Sequence, residues 1–181
     1  MLVAGIFVVL AVAMIVGPLM MLRPSPRQTQ LIKLRRLAVD KGLRVQMLDR
    51  PVAGGESLST QSKPEMVAAY CMQLQMASDS PLSDWRWMLV RTAFAHDIHL
   101  GGVWDWSEKQ QAPAIDQQSL LVFLQSLPES VLAVRQDGEG IAVLWSERVP
   151  REQSPEQAVE VLNRALLQLA ALLQAAAKPQ H

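Results

Sequence analysis

The chain has 181 residues, half of them apolar, which excludes a disordered polymer and leaves room for one domain plus an appendage. Its lone cysteine, Cys71, excludes an internal disulfide framework and any multi-cysteine zinc or iron–sulfur site within one chain. The formal net charge of zero hides an asymmetry: Arg23 to Arg50 carries eight basic residues against two acidic ones, whereas the remainder carries nine against fifteen.

Met1 to Leu22 contains no charged side chain and only three residues outside the apolar class, Gly5, Gly17 and Pro18. Twenty-two helical residues reach roughly 33 Å, enough to cross a hydrocarbon core of about 30 Å. A cleaved signal would need a basic start and small residues at the cleavage site. Here nothing basic precedes the run, and Leu19-Met20-Met21-Leu22 is bulky, so the expectation is a retained transmembrane helix. Seven Lys/Arg lie between Arg23 and Arg44. Positive flanks stay on the cytoplasmic side, which predicts an inner (plasma) membrane protein with its N-terminus outside and its body in the cytoplasm.

Residues 23–42 read as a basic amphipathic juxtamembrane helix. Ser25 is the expected N-cap, Pro26 the first helical residue and Gly42 the C′ residue. Leu31, Leu34, Leu37 and Ala38 recur at helical spacing with Ile32 alongside, while Arg27, Lys33, Arg35, Arg36 and Lys41 are candidates for the membrane surface. Two uses compete for this segment, contact with anionic lipid headgroups or packing on the chain's own domain. Stacking aromatics are missing from it, so nucleic acid is not an expected partner.

Residues 43–177 read as a small α+β domain, followed by a disordered tail over 178–181. Alternation predicts strands over 43–48 and 85–94, and a bounded apolar run over 66–76 leans the same way without fitting either period cleanly. Residues 51–64 are rich in Gly, Ser, Thr and Pro and read as a loop. Asp116 is the expected N-cap of a helix carrying Leu120, Leu121, Leu124 and Leu127, which Pro128 ends. Val131–Arg135 and Ile141–Trp145 flank a turn containing Asp137-Gly138 and Gly140, a hairpin signature. Ser154-Pro155-Glu156-Gln157 then combines an N-cap, a first-turn proline and a capping-box glutamine for a helix running to about Ala176. About five strands in a mainly antiparallel sheet, with two helices on one face, is the economical architecture.

The best constellation for chemistry is His96, Asp97 and His99 followed by Asp105. His96 and His99 are placed to share a helical face, and carboxylates accompany histidines in divalent-metal sites. The spacing does not match a zinc hydrolase motif, which needs histidines four apart and a glutamate base. Cys71, between Tyr70 and Met72, reads as a buried thiol. No cofactor or metal is expected. Five tryptophans remain, and Trp104 and Trp106, between glycines and a polar stretch, are the candidates for an exposed partner-binding face. Self-association through the last helix is a second route to assembly. The leading expectation is therefore a non-enzymatic, membrane-tethered protein-interaction module. The alternative is a membrane-tethered, metal-assisted enzyme centred on His96, Asp97, His99 and Asp105.

Overall fold

The computed structural model describes residues 25–51, 65–74, 84–96, 100, 102–107, 115–138 and 140–177, together with Gly5 and Met14, which are both helical. Most of the expected span over 1–22, the loop over 52–64 and the tail over 178–181 lie outside the described residues. Packing divides the chain into Met1–Lys33 and Leu34–His181. Helix α1 (Pro26–Asp40) begins where Ser25 and Gln28 exchange hydrogen bonds of 2.9 and 3.2 Å. It ends at Gly42, whose φ of 80° only glycine adopts freely and which lets Leu43 N–H return to the Ala38 carbonyl.

Six strands follow, one more than expected: β1 (Arg44–Asp49), β2 (Met66–Gln73), β3 (Trp87–His96), β4 (Gly102–Trp106), β5 (Val131–Asp137) and β6 (Gly140–Trp145). Their order in the sheet is β1-β2-β6-β5-β3-β4, with every neighbouring pair antiparallel. The unexpected strand is β4, five residues that pair with β3. Helix α2 (Gln117–Ser126) precedes β5, and α3 (Pro155–Ala176) closes the described chain.

The N-caps form where local chemistry places them. The Asp116 carboxylate accepts from Ser119 N–H at 2.7 Å, and Ser154 and Gln157 form the full capping box. Ser154→Ala should therefore lower stability by about 1 kcal/mol, read as a shifted urea midpoint with unchanged slope. Helix α3 buries Ala158, Val159, Leu162, Ala165, Leu166, Leu169 and Leu173, so its apolar stripe is core. By length and composition alone it is the one helix among the described residues that would suit a membrane.

Helix α1 departs from expectation. It buries only Leu34 and Ala38 and leaves Ile32 and Val39 about 60% exposed, so it is a mostly polar helix with a narrow contact line. The registers show why β2 fits neither period. Tyr70, Val143, Val134 and Leu89 line one face of the sheet, and Val67, Ala69, Leu144, Ala133 and Val90 form a second buried cluster on the other. A central strand buried on both faces shows no polar alternation.

Candidate functional site

On that second face, four residues stand in one row across neighbouring strands: Arg44 opposite Cys71, Cys71 opposite Ala142, and Ala142 opposite Arg135. Strands lie about 4.8 Å apart, so the two arginine Cα atoms are roughly 14 Å from each other with two small side chains between them. Long, small, small, long makes a trough. The next row, Gln73–Gly140–Asp137, extends its floor, and Arg86, one residue before β3, joins its wall. The resulting groove encloses about 580 Å³.

Its electrostatics are lopsided: among the described lining residues, Arg44, Arg86 and Arg135 face a single carboxylate, Asp137. Arg135 donates from Nη2 to Asp137 at 2.6 Å, but its buried Nε has no hydrogen-bond partner. The Arg44 guanidinium donates to the Gln46 carboxamide oxygen. Cys71 lies half-buried in the floor, and burial pushes its thiol above the usual range despite the cationic pull of Arg135 and Arg44. It is a neutral thiol, unsuited to nucleophilic attack.

The chain matches no protein-family model, no curated protein and no solved structure.

Two further polar clusters organise the opposite face. Glu147, at the exit of β6, accepts from Arg35 Nε and Nη2 at 2.8 and 2.7 Å and from the Tyr70 hydroxyl at 2.8 Å. The carboxylate holds the Arg35 guanidinium above its ordinary pKa, while burial, followed by the Glu147 charge, drives the Tyr70 phenol far above its own. Both shifts fix charge states: Arg35 a cation and Tyr70 a neutral phenol. Glu147 adopts a φ of 55°, the only non-glycine residue among those described to do so, and aims its carboxylate inward at that backbone cost.

The second cluster resolves the tryptophans. Arg91 reaches the Val131, Leu127 and Pro128 carbonyls at 2.9, 3.3 and 3.1 Å, and its guanidinium lies 4.6 Å from the Trp104 ring centre. Trp106 packs edge-on to Trp87, whose Nε1 donates to buried Gln136 at 2.8 Å. Trp104 and Trp106 are only 2% and 9% exposed. The expected exposed aromatic face is therefore corrected: β4 sets both rings on the helix-side face of the sheet, where Arg91 and Trp87 enclose them.

The remaining candidates separate. Arg27, Lys33 and Arg36 are exposed along α1, whereas Arg35 is tied to Glu147 and Lys41 bonds Glu160. His96 ends β3 opposite Gly102, so it occupies a strand and not the expected helical turn. Asp105 accepts from Trp106 N–H at 2.8 Å within β4. Asp97 and His99 lie outside the described residues, among which no cluster of three metal-ligating side chains occurs. The trough and the Glu147 cluster had no motif in the sequence. Both depend on pairings between residues far apart in the chain.

Proposed function

We propose that this protein is a non-enzymatic, single-pass inner-membrane protein whose α+β body is a tethered interaction module. Residues 1–22 form the anchor, the N-terminus lies outside and the body lies in the cytoplasm. The observation that carries the reading is the attachment of α1, which begins four residues after the uncharged run. Its second half is fixed to the body by buried Leu34 and Ala38, by the Arg35–Glu147 ion pair and by the Lys41–Glu160 bond. Tethering raises the local concentration of whatever surface the body presents. Arg27, Lys33 and Arg36, exposed on α1, suit anionic headgroups. The partner is a second protein or another copy of the chain.

Native membranes test this directly. The protein should stay in the pellet after alkaline carbonate, and protease added outside spheroplasts should leave the body intact. Crosslinking in the same membranes should trap a partner or a dimer. Extraction by carbonate, or loss of the body to external protease, would overturn the anchoring and the orientation. A product that stays monomeric after crosslinking would overturn the interaction role.

A further inference from the structure

We propose that the trough between Arg44 and Arg135 is a binding site for a small organic phosphate monoester, whose dianionic head the arginines hold over the Cys71–Ala142 floor. The argument starts from charge. Among the described residues that line the groove, three guanidinium groups stand against the one carboxylate of Asp137, an excess of +2. A phosphate monoester carries about −1.5 to −2 at neutral pH, which matches that excess better than a single carboxylate does. Guanidinium forks also present paired N–H donors at the spacing of phosphate oxygens.

Hydrogen bonding gives a second, independent reason. Arg135 has one edge of its guanidinium satisfied by Asp137, while Nε is buried without an acceptor. A buried donor left unpaired is costly, and an acceptor entering the groove would relieve that cost. Arg86 is exposed and makes no ion pair among the described residues, so it is available to the same anion. Size and lining agree with a small molecule: about 580 Å³ falls within the usual range for ligand pockets. Cys71, Ala142 and Ile141 provide apolar contact for the organic part, and Gln46 and Gln73 provide polar contact. Because the thiol of Cys71 stays protonated, the floor adds no competing negative charge.

The monoester can come from a soluble metabolite or from a lipid headgroup, and the two arms of the test separate these sources. In the first, the full-length chain in detergent micelles is titrated with phenyl phosphate in a calorimeter. In the second, it is reconstituted into nanodiscs of phosphatidylcholine with or without phosphatidic acid, and the amide spectrum of the body is compared. Saturable one-to-one binding of phenyl phosphate, weakened roughly tenfold or more by R86Q and by R135Q, is the expected result. Arg86 is exposed, so R86Q should leave the fold untouched and keep the test readable if R135Q disturbs it. A spectral change with phosphatidic acid that R86Q abolishes would assign the headgroup source, and its absence alongside phenyl phosphate binding the soluble one. No saturable binding in either arm, or binding indifferent to both substitutions, would overturn the proposal. Either outcome is independent of how the chain is anchored, which carbonate extraction decides separately.

Discussion

Glu147→Ala should cost about 3 kcal/mol of stability, and Glu147→Gly about 1 kcal/mol less than that. The carboxylate receives three hydrogen bonds, two from Arg35 and one from Tyr70. The Tyr70 side chain is fully buried, so truncation strands its hydroxyl without a partner, a penalty of about 1–3 kcal/mol. The guanidinium also loses its charge partner, but the Arg35 side chain is 37% exposed and water takes up part of that loss, so this share stays near 1 kcal/mol. Alanine inherits the left-handed backbone at φ 55°, whereas glycine adopts it without a Cβ clash, which produces the difference between the two variants. Adding Tyr70→Phe to Glu147→Ala should recover about 1 kcal/mol, since removing both partners abolishes the unpaired hydroxyl. Urea denaturation of the parent, these three variants and Tyr70→Phe alone measures the whole cycle. Values for Ala and Gly that agree within error would remove the backbone argument, and no recovery in the double variant would remove the hydrogen-bond one.

What the chain announces locally, the structure carries out. Ser25, Asp116 and Ser154 cap the helices because a side-chain oxygen and a free N–H two or three residues on need nothing from the rest of the fold. The β5–β6 hairpin is legible for the same reason, with two apolar runs set close together around glycines. Strand β2 was legible only as an apolar run, because burial on both sides of the sheet erases the alternation that identifies a strand. Strand β4 was hidden by its five-residue length and by a partner in β3 whose register shifts between Arg91 and His96. The tryptophans show the same limit from another side. Alternation puts Trp104 and Trp106 on one face, but their enclosure depends on Arg91, Trp87 and Gln136, which come from two other strands. The arginine trough is further still from local signals, because Arg44 and Arg135 come to flank one floor only once β1, β2, β6 and β5 are in register. Glu147 sits in a stretch with no pattern, and its role follows entirely from where Tyr70 and Arg35 arrive.

The second large effect is expected at Gly140, where alanine should destabilise the fold by about 3 kcal/mol or prevent it from forming. A Cβ built on Gly140 would lie 2.3 Å from the Met72 carbonyl oxygen and 3.2 Å from the Gln73 Cα. Both are backbone atoms of β2, so no rotamer change relieves the contact and the β2–β6 pairing must open locally. That pairing joins β1 and β2 to the rest of the sheet, so displacement there strains buried neighbours on both faces. Overpacking of a tight interior usually costs about 1–3 kcal/mol, and an unyielding backbone places this case at the upper end. Gly42→Ala is the matched control. Its φ of 80° is strained for alanine, but nothing lies within 4 Å of the added methyl, so about 1 kcal/mol is expected. Gly140 also belongs to the floor of the trough, so a partly folded Gly140→Ala chain should bind phenyl phosphate more weakly than the parent does. Thermal or urea midpoints that fall equally for the two alanines would show that β2 and β6 approach each other less closely than the register requires.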